Sequence, residues 1–367
     1  MKHNFLTNFN KYLLIFFPFF LISGPFLTDL SGSLMGIFII FIIIKNKKYE
    51  YINNNYFYFF ILIFIFLNLS SIFAFDPIIS FKSSLTYLRL IFFIFGISYL
   101  VNFYQDLPKR IYFTYFICLL ILFIDSLLII NLNHNIFGVQ FDGSSSRIRS
   151  LFDDEEIMGS FVSRTLPLII GLSYLFKNIK IIKYNFFMIT LAFFLILISG
   201  ERTALANFFI FLFFFFILEK KIFLLMLFSL SIVFLIIFQF KKESIDRAIL
   251  HTIKQTEIGS SKLIIFSERH TFHYYTAYEI FKDNPFLGAG IKSFRKLCSK
   301  EEYVEKLKKN FNEQLNNSGY VDGCNTHPHH IYLQFLSEIG IIGFGFFLSI
   351  FFYITYNIFI LFKNLLF

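Results

Sequence analysis

The sequence predicts an all-α polytopic membrane protein, with about ten transmembrane helices and one large periplasmic loop between the ninth and the tenth. Three observations predict it. Apolar residues make up 56% of the 367-residue chain and charged residues only 16%. Mean hydropathy is +0.66. The apolar residues also fall in successive runs of roughly 20, the length a helix needs to cross ~30 Å of hydrocarbon. No water reaches the backbone there, so helices rather than open strands must carry the crossings.

The runs place spans at residues 12–29, 30–44, 56–75, 84–101, 111–132, 157–176, 184–199, 202–218, 222–240 and 331–362. The first begins near Tyr12 and is followed by a second with no small-residue cleavage site between them, which reads as a retained helix rather than a removed signal peptide. The chain contains 60 Phe and no Trp. That imbalance, beside abundant Ile, Asn and Lys, reads as compositional bias, with Phe serving as lipid-facing and packing bulk. The net charge of +9 resides mostly in short loops, where membrane orientation accounts for it without nucleic acid.

Lys45, Lys47 and Lys48, then Lys109 and Arg110, then Lys177, Lys180 and Lys183, then Lys220 and Lys221 fall on alternate sides of this trace. The positive-inside rule makes those sides cytoplasmic, and both termini with them. The opposite side receives residues 76–83, the acidic stretch Asp153, Asp154, Glu155 and Glu156, the Gly200–Arg202 turn, and the loop from 241 to 330. No repeat or Pro- and Gly-rich linker divides the chain. It is expected to comprise transmembrane helices over 1–240, a periplasmic loop with helical segments over 241–330, and a last transmembrane helix over 331–367. A loop of such length is usually functional. Within it, Glu301 to Lys309 reads as a charged, solvated helix with Glu305 and Lys309 one turn apart.

The densest polar cluster is Asn325-Thr326-His327-Pro328-His329-His330, directly ahead of the last apolar run. Pro328 suits a helix first turn and Asn325 or Thr326 can cap it. The free N–H groups and positive end of the helix dipole there attract phosphate and favour a neutral imidazole. Such an imidazole can accept a proton from an attacking hydroxyl, and His329 is assigned that role. Two other readings stand beside this one: His327 with His329 or His330 as metal ligands, or a plain interfacial cap. No His-Glu-x-x-His or Cys-x-x-Cys pattern completes a zinc site.

Arginine beside hydrocarbon costs about 2.5–3.5 kcal/mol, so Arg202 needs a reason. Binding a diphosphate is one; pairing with Glu201 or snorkelling to the interface is the other. Arg164 and Arg89 carry the same ambiguity. Arg269 opens a segment that ends in Asn284-Pro285-Phe286-Leu287-Gly288-Ala289-Gly290. Two guanidinium groups can hold a pyrophosphate by paired N–H contacts without a metal. Gly288-Ala289-Gly290 lacks the rest of a nucleotide fingerprint and reads as a turn. Cys298 and Cys324 share the periplasmic loop, an oxidising compartment, and either bond to each other or stand as two thiols.

At these residues the chain resembles the O-antigen ligase family, also called the O-antigen ligase/polymerase superfamily, over roughly 157–345. Thr326-His327-Pro328-His329-His330-Ile331-Tyr332-Leu333 followed by Glu338-Ile339-Gly340-Ile341-Ile342-Gly343 is similar to the family's His-Pro-His-Asn-x-x-Leu with a Glu-x-Gly-x-x-Gly tail. Ser199-Gly200-Glu201-Arg202 and Arg269 leading to Asn284-Pro285-x-x-Gly288-x-Gly290 support it.

The resemblance implies His329, Arg202 and Arg269 as catalytic residues; His327, His330, Arg164 and Glu338 are expected about the substrate. It also implies metal-independent, inverting transfer of a glycan from undecaprenyl diphosphate to a lipid A–core or similar acceptor, with no cofactor, at the periplasmic face of the bacterial inner membrane. A polymerase of the same superfamily and a flippase for lipid-linked glycans are the alternatives. His330 stands where the family usually has Asn, and the chain ends soon after Lys363, where many members continue for one or two helices more, as a truncated chain would.

Overall fold

The computed structural model describes residues 5–141, 146–152, 155–175, 181–248 and 268–366. Asp153, Asp154, Lys177 and Lys180 lie outside the described residues. Among the described residues the protein is helical, without a β-strand. The apolar helices are α1 (Phe5–Ile22), α2 (Pro25–Lys45), α3 (Asn55–Ile72), α4 (Pro77–Phe103), α5 (Leu107–Leu132), α6 (Met158–Ser173), α7 (Ile181–Ser199), α8 (Arg202–Leu218) and α9 (Phe223–Phe240). Among the described residues four mostly polar helices follow: α10 (Lys242–Ala248), α11 (Glu268–Asp283), α12 (Phe294–Leu297) and α13 (Glu301–Ser318), before α14 (Ile331–Leu366) returns to apolar sequence. Eight of the described helices are long and apolar enough to cross a membrane; α6 and α8 are apolar but shorter.

The first two helices begin earlier than hydropathy suggests. Gly24 at φ +108 breaks the chain and Pro25 starts α2, because proline is tolerated where a helix's first N–H has no partner anyway. The turn therefore falls at 23–24, and polar Thr7 and Asn10 are drawn into the start of α1, both buried.

By packing, the chain forms two compact units, residues 1–47 with 96–258 and residues 48–95 with 259–367. In the first unit α5, α6, α7, α8 and α9 enclose a core that includes Leu119, Leu122, Val162, Ile189, Ala192, Ile196, Phe208 and Met226. Buried polar groups inside it are satisfied between helices. Tyr112 of α5 donates to Asn185 of α7 at 2.8 Å, and the Asn185 amide donates to Ser173 of α6 at 2.8 Å. Such links hold helices together where burial of apolar surface offers no preference over lipid. At one end, Lys11 of α1 and Arg110 of α5 both reach Asp106.

In the second unit α11 packs on α14 and α13, around Ala277, Ile280, Ala289, Phe294, Leu297 and Tyr303. Asp76, at the turn before α4, pairs with Lys296 at 2.5 Å, and Phe75 N–H donates to the Ala289 carbonyl at 2.8 Å. Residues 75–80 and 289–296 therefore share one end of the unit.

The two glycine motifs of the sequence meet here. Gly340, at φ +66 and ψ −173, interrupts α14 and releases carbonyls from the helical ladder. The Ser337 and Glu338 carbonyls instead accept Ala289 and Gly290 N–H at 2.8 and 2.9 Å. In return Ile341 and Ile342 N–H donate to the Pro285 and Phe286 carbonyls at 2.8 and 3.3 Å. A Cβ on Gly288 would come 2.4 Å from the Glu338 carbonyl carbon, and one on Gly340 2.2 Å from the Phe286 oxygen. The Asn-Pro-x-x-Gly-x-Gly turn is thus the cap of a broken helix, and only glycine allows that approach.

Candidate functional site

The cluster 325–330 is not helical: α14 starts at Ile331, and the histidines precede it. His330, rather than Asn325 or Thr326, caps the helix. Its Nδ1 accepts Leu333 N–H at 3.3 Å while its carbonyl accepts Gln334 N–H at 2.9 Å. Asparagine is among the best residues at an N-cap, so an imidazole nitrogen here does the work of the amide oxygen that the family motif usually supplies. Pro328 lies in the loop ahead of the cap rather than in the first turn.

Capping by His330 leaves His329 in the left-handed region at φ +56, a conformation that costs energy without a glycine and tends to persist at functional sites. Its ring stands in a cluster of imidazoles. His327 lies 4.2 Å away by ring centroids, His270 5.3 Å and His273 5.6 Å. His270 and His273 are three residues apart on α11, hence on one helix face. The Asn325 amide nitrogen lies 2.8 Å from His329 Nε2. Since Asn325 Oδ1 accepts Thr326 N–H at 2.7 Å, the amide N–H donates to His329, which places the proton of the neutral ring on Nδ1.

Burial, then the charges that His327, His270, His273 and Arg269 would carry, pull His329 from its ordinary 6.5 down to about 4. It is a neutral base at physiological pH. Arg269 is exposed at the start of α11, with its guanidinium carbon 5.7 Å from the Tyr320 ring centroid. The loop that presents these groups is tied to the unit by the Cys298–Cys324 disulfide, with Cα atoms 5.1 Å apart. Glu338 is buried; it accepts from Gln334 at 3.4 Å and its carbonyl holds Gly290.

Arg202 belongs to the first unit. The Ser199-Gly200-Glu201-Arg202 turn joins α7 to α8, with Gly200 at φ +61. Glu201 turns its carboxylate to the N-terminus of α6, accepting Gly159 N–H at 2.7 Å, Ser160 N–H at 3.1 Å and the Ser160 hydroxyl at 2.5 Å. An acidic group satisfying a helix's first amides is favoured by both hydrogen bonding and the dipole.

Around Gly200 gather two more arginines. A Cβ there would meet Arg247 Cδ at 3.3 Å and Arg147 Cγ at 3.4 Å, and Arg147 Nε donates to the Ser199 carbonyl at 3.3 Å. Burial draws Arg147 below its ordinary guanidinium value; Arg247 and Arg202 add to the effect, against Glu156 and Glu201. Arg147 is balanced by an ion pair with the Glu156 carboxylate and also donates to the Glu156 carbonyl at 3.0 Å. Arg164 stands exposed on α6.

Residue-by-residue reading of the sequence missed His273, Arg147 and Arg247, and took Asn325 for a helix cap rather than the partner of His329. The spacing of His270 and His273 was a usable signal. Arg147 and Arg247 gave none, because chain folding alone brings them to Gly200. Among the described residues no group of three His, Cys, Asp or Glu side chains has the geometry to hold a metal ion.

Neither a curated protein nor a solved structure matches the chain. A family model does: the one described as O-antigen ligase matches residues 187–348, a stretch that runs from α7 into α14 and contains Arg202, Arg269 and His329. With its array of apolar helices, the chain is a multi-pass membrane protein, and over residues 187–348 it is similar to the O-antigen ligase family.

Proposed function

We propose that the protein transfers a glycan from undecaprenyl diphosphate to a lipid A–core or similar acceptor, at the periplasmic face of the bacterial inner membrane. The observation that carries this reading is His329, a neutral imidazole whose Nε2 lone pair is held by one displaceable amide. The acceptor hydroxyl takes the place of Asn325 and gives its proton to Nε2. Its oxygen attacks the anomeric carbon from the face opposite the leaving group, which inverts the configuration. The bond from that carbon to the phosphate breaks and its electron pair passes to the diphosphate.

Arg202 and Arg269 are each assigned to the diphosphate and to the charge that develops on it, with Arg247 close to Arg202. Guanidinium forks supply the charge that a divalent cation supplies elsewhere, with directed N–H groups added. His327 and Arg164 are assigned to substrate contact. His330 and Glu338 act at one remove, the first by starting α14 and the second by anchoring the turn beneath it.

The test is glycan attachment in cells expressing R202A, R269A or H329A. Each variant is expected to lower attachment at least 100-fold, the usual scale for losing a general base or a transition-state contact. Normal attachment in all three overturns the reading. A polymerase would use the same chemistry on two lipid-linked repeats. Deletion separates the two: a polymerase mutant attaches single repeats, whereas a ligase mutant leaves polymer on the carrier.

A further inference from the structure

His273 is the most buried member of the imidazole cluster, 2% exposed, and the transfer chemistry above leaves it without a role. Its Nδ1 lies 2.9 Å from the Gly323 carbonyl. A carbonyl only accepts, so Nδ1 carries the proton of the neutral ring and Nε2 is left as a bare lone pair. That Nε2 is buried with no hydrogen-bond partner, as is Nδ1 of His270 one turn earlier. Buried polar atoms in folded proteins are nearly always paired, so such a group calls for a reason.

The reason lies across the cluster. The Asn325 contact sets the resting tautomer of His329 with its proton on Nδ1, and taking the acceptor's proton on Nε2 converts the ring to an imidazolium. The groups facing that ring, His327, His270 and Arg269, all oppose a positive charge, as His273 would if it were itself charged; burial lowers the proton affinity of His273 and keeps it neutral. Arg269 and His327 also face His273, with Asp322 on the other side of the balance. His273, with its ring 5.6 Å from that of His329, is tethered in the one tautomer that keeps a lone pair available to the new cation.

We propose that His273 is a positioning residue for His329: anchored by Gly323, it presents a neutral lone pair that stabilises the imidazolium as the acceptor's proton arrives. His273 exchanges no proton and forms no covalent bond. The proposal rests on His329 being the base.

The experiment uses the full-length protein in detergent, with 15N-labelled histidine, and two variants. H273N keeps a donor for Gly323 and loses the Nε2 lone pair; H273Q keeps an acceptor near Nε2 and loses the Gly323 donor. In H273N the proton affinity of His329, read from its ring nitrogens without substrate, is expected to fall about tenfold. Its kcat should fall at least tenfold with donor KM unchanged. H273Q should retain most of both, and in the H329A background H273N should add nothing.

Wild-type titration and wild-type kcat in H273N overturn the proposal. So does a loss in H273Q equal to that in H273N, which would assign the whole effect to the Gly323 tether, and this comparison holds if H273N is the less stable variant. A shifted His329 titration in H273N together with full transfer by H329A would instead keep the pairing and remove His329 as base.

Discussion

His329 carries a base's lone pair in a place that resists protonation, and this sets its pH behaviour. Its folded-state value of about 4 lies below the ordinary 6.5, so the neutral form persists across the neutral and mildly acidic range. Transfer should stay level as pH falls from 8 through 6 and lose rate only toward pH 4, measured as a kcat/KM profile on purified protein. A limb near 6.5 would contradict this depression. The same depression makes folding pH-dependent. The unfolded chain takes up the proton near 6.5 and the folded one only near 4, so stability present above 6.5 declines as pH drops through that interval and levels off below it.

His330 makes a separable prediction at this scale. As an N-cap it should be replaced well by Asn, while H330A costs about 1 kcal/mol, read as a lower melting temperature in detergent. The histidine triplet was legible in the sequence as a cluster at a helix mouth, with His329 assigned as base. That His330 is the cap was not, since the point at which the helix starts decides which side chain bonds the backbone.

Among the elements, α14 is the one whose sequence and structure diverge most. A continuous apolar run predicts an unbroken span, yet Gly340 breaks it and the 285–290 turn fills the gap. G340A forces an L residue into the left-handed region against the Phe286 carbonyl; it should cost at least about 2 kcal/mol and depress glycan transfer with it. Melting temperature and in vivo attachment check this together. The Gly and Pro positions announced a turn in the sequence, but its partner lies some fifty residues away, and only tertiary hydrogen bonds reveal it.

The α7–α8 turn behaves likewise. Glu201 beside Arg202 invites pairing of neighbours, whereas its carboxylate caps α6. E201A should cost roughly 1–2 kcal/mol through the lost cap, and the loss should show as faster hydrogen exchange at residues 158–161.

At the scale of the molecule, the Cys298–Cys324 bond closes a loop of sequence separation 26 and ties the segment ahead of His327 to α12. Its removal in C298S/C324S should cost about 3 kcal/mol. The loss should appear as reducing-agent sensitivity of the wild type and its absence in the double variant.

By itself the sequence determined membrane embedding, the approximate position of every apolar helix and the residues rich enough in chemistry to examine. Those properties follow from local composition: an apolar run of span length has no other stable setting, and a histidine cluster is visible in one window. Tertiary structure decided the rest. It moved the start of α14 so that His330 caps it, brought His270 and His273 of α11 against His329, turned Glu201 to α6, and gathered Arg147 and Arg247 at Gly200. Each of these depends on which distant groups satisfy a buried donor, acceptor or charge, and no local pattern of residues encodes that pairing.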